Sequence, residues 1–488
     1  MIIRREGSPI IMMRVLCVSM LAVLAVSGCS KPPAPGPDVI ILHSGRMRGN
    51  VYPLSLQALA PLQHYPYLAG YIRKVRDEAA ASGAQVFVVD LGDSLGGSFA
   101  AHVTGSQNMT SFFNQAGYDA VFLSNLDATV PEAALRELKC KILNPFGRAG
   151  DSNPGAGAVV AKGRTPLFMM SNFYGDESPG DHPERFPTRF GAWESGVLPV
   201  RDYAGVLRGL GERPEGSLTV FGWMKFEPAG PPPAEFLAQL RGLGIDAILA
   251  HRIYAKDERE AWQPNGFVDW SPPVSLNILR NNGGFALARL DLAREGNRWK
   301  VLRHELLPMT ANVASADPAA VAEAEKFSKE IAAADIPVLA LESSVDAGKI
   351  LKIYMSALAT IPGTGAVAYS AESIRSDWPP GLLHASGIFH SLPWTSGLAQ
   401  IRMTPVQLAA LAGSGLVRVA AKVGAGSDGI TLTTSRYFAD LIAREPAMEG
   451  VVVSDLPQTS EFDFFLEFLR SHPGAIAAGF PAGWDDAP

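Results

Sequence analysis

Short apolar runs alternate with segments of helical periodicity through the first half of the chain. The runs of strand length are residues 39–42, 86–89, 120–123 and 245–250. Between the first three runs, residues 68–81 and 107–116 carry apolar positions at the spacing of one helix face. Asp90 and His251 directly follow two of the runs. Because open α/β sheets place their sites beyond the carboxyl ends of their strands, we expect these polar residues to contribute to a site.

The N-terminal apolar segment has the flanks of an export signal. Arg14 precedes an apolar run at 15–26 that stops at Ser27-Gly28-Cys29, which is the arrangement of a secretory signal. A run of that length is too short to span a bilayer. Its end resembles a bacterial lipobox, which implies that Cys29 becomes the lipidated first residue. We therefore expect residues 1–28 to be a lipoprotein signal peptide and residues 29–37 to be a Pro-rich tether.

Lipidation of Cys29 would place the protein in the bacterial cell envelope. We expect it to be anchored in the outer membrane and to face the periplasm. The membrane is then one partner, through the N-terminal lipid, and an envelope protein is a second candidate. The 488 residues carry a net charge of -6 and no basic run, which argues against nucleic acid as a partner. With Cys29 acylated and the signal removed, the remaining thiol is Cys140, so no intrachain disulfide is expected.

The length and composition predict more than one domain. Hydrophobic residues make up 47% of the chain, which is enough for two or three domains with full cores. Residues 319–334 are rich in Ala, Glu and Lys, a composition typical of a solvated helix. We expect a first domain at 38–312, a linker helix at 313–335 and a second domain at 336–488.

Two polar loops carry the most specific signal in the first domain. The loop Asp90-Leu91-Gly92-Asp93-Ser94-Leu95-Gly96-Gly97-Ser98 is similar to an Asp-x-Gly-Asp-x-x-x-Gly-Ser motif, and Ser124-Asn125-Leu126-Asp127 is similar to a Gly-Asn-His-Glu motif. Together with the order of the other segments, these loops resemble the periplasmic 5'-nucleotidase and UDP-sugar hydrolase family. The resemblance implies an α/β fold in which a four-layer, calcineurin-like metallophosphoesterase domain is followed by a smaller α+β 5'-nucleotidase C-terminal domain.

The family's dinuclear metal site is matched only in part. By position, the resemblance assigns Asp93 to the bridging carboxylate, Asn125 to an amide ligand and His251 to an imidazole ligand. The family's first motif, His-Thr-Asn-Asp-x-His-Gly, corresponds to residues 43–49, where arginines replace the Asp and the second His. A guanidinium stays protonated and has no lone pair to offer a metal.

Two further family residues are missing. Leu126 stands where the family has a histidine that supports the transition state, and no histidine occurs between His251 and His304, where a Gly-Gly-His-x-His segment is expected. A dinuclear centre needs a full set of ligands around both cations. We therefore expect at most one divalent metal as a cofactor, and not a complete two-metal centre.

Each matched ligand also has a structural interpretation. Asp93 can close the Gly-rich turn through its side chain, as Asp often does. His251 at a strand end can be a hydrogen-bonded core histidine, and Asn125 is equally ordinary. These alternatives remain open for all three residues.

The two arginines at ligand positions allow two interpretations. Arg46 and Arg48 present planar forks that suit a phosphate or carboxylate, so they can bind an anion in the former hydrolytic cleft. Alternatively they form ion pairs and replace the lost metal charge. The carboxylates available for such pairs are Asp90, Asp93 and Asp127.

The second domain resembles the family's C-terminal domain, which reads the nucleoside with an arginine and an aromatic sandwich. Arg375 matches the arginine, although the glycine pair before it is missing, and Trp394 takes the place of the Phe in a Pro-Phe-x-Asn motif. The family's Gly-Gly-Asp-Gly-Tyr segment is absent from the corresponding region, 435–440. Tyr437 and Phe438 can substitute as stacking residues, but adjacent aromatics at a helix start are more often core.

These features predict an envelope lipoprotein with a degraded dinuclear site that binds a small anionic or nucleotide-like ligand, or a partner, without efficient hydrolysis. The candidate ligand-binding residues are Arg46, Arg48, Arg375 and Trp394. The alternative is an active metal-dependent phosphoesterase of the 5'-nucleotidase type with a rearranged or single-metal site. The metal content of the purified protein separates the two hypotheses.

Overall fold

The fold is taken from a computed structural model. The described residues are 36–47, 49, 65–124, 127, 130–144, 146–148, 156–172, 197–199, 202–223, 234–253, 267–279, 286–308, 313–422, 429–476 and 484–486. The predicted signal peptide at 1–28 and residues 29–35 of the predicted tether, with Cys29, lie outside them, as do Arg48, Asn125 and Leu126. Within the described ranges, every helix is too short or too polar to cross a membrane.

Two sheets of six described strands each dominate the first part of the chain. The first sheet contains β1 (Val39–Ser44), β2 (Gln85–Asp90), β3 (Ala120–Phe122), β4 (Lys141–Leu143), β13 (Ala286–Glu295) and β14 (Arg298–Pro308). The second contains β6 (Gly157–Val160), β7 (Leu167–Asn172), β9 (Leu218–Trp223), β10 (Ala247–Ile253), β11 (Phe267–Val268) and β12 (Val274–Leu279), while β5 (Phe146–Arg148) pairs with β8 (Val197–Pro199). The helices are α1 (Tyr65–Ser82), α2 (Phe99–Val103), α3 (Gln107–Ala116), α4 (Glu132–Arg136), α5 (Tyr203–Gly209), α6 (Ala234–Gly242) and α7 (Pro318–Ala334).

Parallel pairing places several strand ends at one edge of each sheet. Strands β1 to β4 are parallel neighbours in chain order, and β13 and β14 extend that sheet antiparallel beyond β1. In the second sheet, β7, β9, β10 and β12 are parallel. The carboxyl ends of β1, β2 and β3 therefore open into neighbouring loops that begin at residues 45, 91 and 123.

Alternating side chains build four layers. On one face of the first sheet, Ile40 packs in a cluster with Ile72 of α1. On its other face, Ile41 packs in a cluster with Leu249 of the second sheet. The outer face of the second sheet is covered by α5 and α6, for example at Leu240. This helix-sheet-sheet-helix arrangement confirms the predicted four-layer sandwich.

Helix α7 packs along the first domain through one face. Ala320 and Ala324 are buried in the same cluster as the apolar face of α1, and Asp317 at its N-cap forms an ion pair with Arg73. A Cβ at Gly70 would lie 1.9 Å from the carbonyl oxygen of Ser315, so glycine permits the close approach of α1 to this segment. The helix expected to be solvated is thus half-covered, because its alanines allow close packing.

The second domain is an α+β unit around a six-stranded sheet of order β21-β18-β20-β16-β19-β22, with a separate β15-β17 pair. Its strands are β15 (Pro337–Leu341), β16 (Ala366–Tyr369), β17 (Gly381–His384), β18 (Gly397–Met403), β19 (Arg418–Lys422), β20 (Ile430–Ser435), β21 (Val452–Ser460) and β22 (Trp484–Asp486). Its helices are α8 (Ala347–Ala359), α9 (Ala385–Ser391), α10 (Pro405–Gly413), α11 (Arg436–Ala443) and α12 (Glu461–Ser471), with short 3-10 turns at Ala371–Ser373 and Pro446–Met448. One apolar cluster joins these elements.

Helix α2 of the first domain packs against the second domain. The Phe99 ring lies 6.0 Å from Phe389 and 6.1 Å from Phe462, measured between ring centroids. His102 Nε2 lies 3.1 Å from Asp463 Oδ1, and this contact lowers the pKa of Asp463. Because α2 directly follows the loop after β2, the second domain contacts the segment that leaves the candidate site.

Candidate functional site

Backbone hydrogen bonds join the loops that follow β1 and β2. Arg46 N donates to Gly92 O at 2.7 Å, and Gly49 N donates to Ser94 O at 2.7 Å. These bonds continue the contact between the two parallel strands beyond the sheet. They place Arg46 opposite the loop that contains Asp93.

Arg46 and Asp93 form a buried ion pair. Nε of Arg46 lies 3.6 Å from Oδ2 of Asp93, and the two side chains are 8% and 12% exposed. Both residues have a φ of 61°, a backbone conformation that is uncommon for residues other than glycine. Such conformations cost about 1–3 kcal/mol each and persist where the surroundings hold them. The ion pair that the sequence allows for Arg46 is therefore present.

Asp127 closes the loop around Asp93. Its carboxylate accepts hydrogen bonds from the backbone N–H groups of Asp93 at 3.0 Å, Leu95 at 2.8 Å and Ser124 at 2.8 Å. The Ser124 hydroxyl lies 2.9 Å from both Asp93 Oδ1 and Asp127 Oδ2. Burial, followed by the charge of Asp93, raises the pKa of Asp127 to about 6. Asp127 therefore takes the turn-closing role that the structural interpretation gives to Asp93.

Asp90 is buried beneath the same loops. Its Oδ2 accepts hydrogen bonds from Ser44 Oγ at 2.6 Å and Ser94 Oγ at 3.0 Å, and its Oδ1 accepts one from Gly92 N at 2.9 Å. Ser44 Oγ also lies 2.9 Å from the hydroxyl of Tyr118. Burial raises the pKa of Asp90 to about 7. These bonds tie the ends of β1 and β2 together.

Histidines line the space between the two sheets. His251 of β10 is buried, and its Nδ1 would lie 2.8 Å from a Cβ placed on Gly45. His43 of β1 is also buried, with Nε2 2.7 Å from Ser275 Oγ of β12. Burial, with contributions from His304 and His251, lowers the pKa of His43 well below its usual value. His43 is therefore neutral at physiological pH. His251 lies against Gly45, in the loop that carries Arg46.

The described residues do not fit a two-metal centre. The guanidinium of Arg46 lies beside Asp93, where a cation bound to Asp93 would need a further ligand. A guanidinium has no lone pair to offer such a cation, and its positive charge repels it. In the ranges that the structure describes, no group of three or more His, Cys, Asp and Glu side chains could hold a metal ion. Arg48 and Asn125 fall outside those ranges. The expectation of at most one divalent metal stays a prediction.

The second domain presents a partly exposed aromatic pair. The rings of Trp394 and Tyr437 lie 6.4 Å apart between centroids and 9° from parallel, and Tyr437 is 38% exposed. The guanidinium carbon of Arg375 lies 4.8 Å from the centre of the Trp394 ring, a cation–π distance. Phe438 is buried in the core. The core interpretation is thus correct for Phe438 and wrong for Tyr437.

The structure sorts the candidate residues into two groups. At the strand ends of the first domain, Arg46 pairs with Asp93 and His251 lies against Gly45, next to Arg46 in the chain, whereas Arg375 and Trp394 meet in the second domain. Sequence reasoning missed Ser124 as the hydroxyl that joins Asp93 to Asp127. The Ser-x-x-Asp spacing at 124–127 is a signal for it, because such pairs commonly close turns through side-chain bonds to backbone N–H groups.

Solved hydrolase structures share this two-domain fold. A 5'-nucleotidase precursor of Thermus thermophilus is 13% identical, with a TM-score of 0.60 over 89% of this chain and 96% of that chain. A 5'-nucleotidase of Candida albicans is 11% identical, with a TM-score of 0.58 over 89% and 98%. The sulfate thiohydrolase SoxB of Thermus thermophilus is 14% identical, with a TM-score of 0.55 over 90% and 95%. The sequence matches no protein-family model and no curated protein. The likeness confirms the predicted 5'-nucleotidase fold.

Proposed function

We propose that the protein binds a small anionic or nucleotide-like ligand at the bacterial envelope without hydrolysing it efficiently. The observation that carries this proposal is the buried pair of Arg46 and Asp93. By resemblance, those positions supply a metal ligand and the bridging carboxylate. A guanidinium neutralises the carboxylate, but it cannot activate a water as a metal does.

Recognition of the ligand is assigned to the second domain. A planar base can stack on the exposed ring of Tyr437, beside Trp394, and each stacked base contributes roughly 1 to 3 kcal/mol. The guanidinium of Arg375 offers charge-assisted hydrogen bonds to an anionic group of the same ligand. In the first domain, Arg46 and Arg48 remain candidate donors to a phosphate.

A second candidate is a metal-dependent phosphoesterase of the 5'-nucleotidase type. It is supported by the fold shared with 5'-nucleotidases and by the placement of Asp93 and His251 at the same edge of the sandwich. In that case one metal would have to bind despite the guanidinium of Arg46. The two candidates differ in metal content and in turnover.

The test compares the parent protein with the double reversion Arg46→Asp/Arg48→His. Each protein is loaded with manganese or zinc, desalted and analysed for bound metal, and hydrolysis of AMP and UDP-glucose is then measured. The parent should retain no stoichiometric metal and show no turnover above background, and the double reversion should gain bound metal. Arg136→Asp, at an exposed arginine of α4, is the matched charge control and should behave as the parent.

The proposal would be contradicted if the parent bound stoichiometric metal and also hydrolysed AMP or UDP-glucose in a way that Asp93→Asn abolishes. The second candidate would then be correct. Binding is tested separately by titration calorimetry with AMP. A parent that binds neither AMP nor other small phosphate anions would refute the ligand-binding proposal even if it lacks activity.

A further inference from the structure

Glu461 is a buried carboxyl inside the second domain. It begins helix α12 and is 0% exposed. The hydroxyl of Tyr369 donates to its two oxygens at 3.3 and 3.2 Å. The side chains of Tyr354 and Ser435 lie near the carboxyl, and the Tyr354 hydroxyl is buried and makes no hydrogen bond within the described residues. Glu461 therefore joins β16 to the start of α12 through Tyr369, while side chains from α8 and from the end of β20 pack near its carboxyl.

The backbone around Glu461 holds the loop that carries Trp394. Glu461 N donates to Ser396 O at 2.8 Å, and Phe462 N donates to Trp394 O at 3.2 Å. The ring of Trp394 is fixed at its other end, where Nε1 donates to Ser373 O at 3.2 Å. A shift of the first turn of α12 would therefore move Trp394.

Arg375, Trp394 and Tyr437 form the proposed ligand surface. Side chains near Glu461 lie on the segments that carry Arg375 and Tyr437. Tyr369 ends β16, and the chain continues from it through a 3-10 turn to Arg375. Ser435 is the N-cap of α11 and accepts a hydrogen bond from Phe438 N at 3.3 Å, so it fixes the turn that contains Tyr437. The first turn of α12 thus bonds to the segment of Trp394 through its backbone and to the strand that precedes Arg375 through Tyr369, and Glu461 lies near Ser435, at the start of the helix that carries Tyr437.

We infer that Glu461 is a positioning residue that holds Arg375, Trp394 and Tyr437 in their observed arrangement, and that loss of its proton loosens this arrangement. The inference rests on the ligand-binding role proposed for the second domain. A protonated carboxyl carries no charge, accepts from the hydroxyl of Tyr369 and has a proton to offer to another hydroxyl such as that of Tyr354. An ionised carboxyl only accepts, and a buried charge is costly unless it is paired or hydrated.

Ionised Glu461 would attract either water or the guanidinium of Arg375, whose charge already acts on neighbouring Tyr369. Water would have to enter between the three segments, and movement of Arg375 would take it off the Trp394 ring. Both responses change the environment of Trp394. Ligand affinity should therefore fall as Glu461 loses its proton.

Other titratable and charged groups pack around Glu461 from several elements. Burial raises the pKa of Glu461 to about 8. The pKa values of Tyr354 of α8 and Tyr369 of β16 lie well above 10, again through burial. The pKa of His390 of α9 is lowered by burial and by Arg375, and that of Asp463 on α12 is lowered by His102 of α2. Arg436 of α11 stays charged through its pairs with Asp440 and Asp455.

The test follows the fluorine NMR signal of Trp394 in full-length protein labelled with 5-fluorotryptophan. Trp394→Phe identifies the signal. In the parent the signal should shift between pH 7 and 9 with a midpoint near 8, and Glu461→Gln should remove this shift. Glu467→Gln changes a glutamate on the same helix that is 70% exposed, and it should titrate as the parent does. A Glu461→Gln protein whose Trp394 signal titrates like the parent would overturn the inference.

A second variant keeps the test valid if Glu461→Gln does not fold. Tyr369→Phe removes a hydrogen bond that lowers the pKa of Glu461, so the midpoint should move to higher pH. An unchanged midpoint would contradict the inference. AMP affinity, measured at pH 6.5 and pH 9, should fall by about tenfold in the parent and stay constant in Glu461→Gln. A parent that binds no AMP at either pH would refute the proposed function, while the fluorine titration still decides the role of Glu461.

Discussion

Replacing Arg46 by methionine removes the guanidinium while it keeps an unbranched side chain at the position. Asp93 then remains largely buried beside the hydroxyl of Ser124. At a separation of 3.6 Å and an effective dielectric of about 20, the lost attraction is roughly 4–5 kcal/mol. Removing one partner of a buried pair typically costs about 3–5 kcal/mol. We expect Arg46→Met to destabilise the first domain by about 3 kcal/mol.

The partner variant makes this prediction specific to the pair. Asp93→Asn should cost a similar amount, because it leaves the guanidinium of Arg46 buried without this carboxylate. The double variant leaves neither charge buried. Its destabilisation should therefore be smaller than the sum of the two single effects by about 2 kcal/mol, a coupling typical of groups in contact.

The free energies are measured by hydrogen exchange of the β1 and β2 backbone amides, which report the opening of the first domain. A chain of two domains need not unfold in one step, so a global denaturation curve is less suitable. Arg136→Met, on the exposed face of α4, is the control and should change stability by no more than about 0.5 kcal/mol. Additive effects of the two single variants would refute the ion pair. Loss of protection in the parent on addition of EDTA would show that a bound cation, and not the ion pair alone, stabilises these loops.

Three further predictions concern the anchor, the aromatic pair and the buried glutamate. Cys29→Ala should release the protein from the membrane fraction, and retention there would show that lipid is not the anchor. Tyr437→Ala should weaken AMP binding by about 1–3 kcal/mol with little loss of stability, whereas Phe438→Ala should cost about 3–5 kcal/mol of stability; calorimetry with AMP and hydrogen exchange of the α11 backbone amides separate the two effects. The pKa of Glu461 rises from 4.5 to about 8 on folding, so the folded state holds this proton more tightly. The stability that this proton contributes is fully present below pH 4.5 and is lost as the pH rises through about 8. Glu461→Gln should therefore be more stable than the parent by up to about 5 kcal/mol at pH 9, and a gain of equal size at pH 4.5, measured by hydrogen exchange of the α12 backbone amides, would contradict this.

Much of the first domain is predictable from local pattern. The apolar runs at 39–42, 86–89 and 120–123 correspond to β1, β2 and β3, and the periodic segment at 107–116 coincides with α3. These segments are predictable because strand and helix periods place apolar residues on faces that must be buried. The four layers follow from the resemblance carried by the loops at 90–98 and 124–127, since the pattern alone does not say which sheet covers which.

The chemistry of single residues is also a property of the sequence. Arg46 cannot coordinate a metal in any fold, because its guanidinium lacks a lone pair at physiological pH. Its partner is a matter of tertiary structure. Asp93 lies far along the chain, and parallel pairing of β1 with β2 brings the two loops together.

Tertiary packing alone decided the residues that local pattern leaves equivalent. Tyr437 and Phe438 are adjacent aromatics in the first turn of α11, and only the packing of that helix on its sheet buries one ring and exposes the other. Glu461 is, in sequence, an ordinary acidic residue at a helix start, where the helix dipole favours it. It becomes a buried carboxyl because β16, β20 and α8 converge on that turn from distant parts of the chain. Residue type sets what a side chain can do, and the long-range contacts set which of those possibilities its surroundings allow.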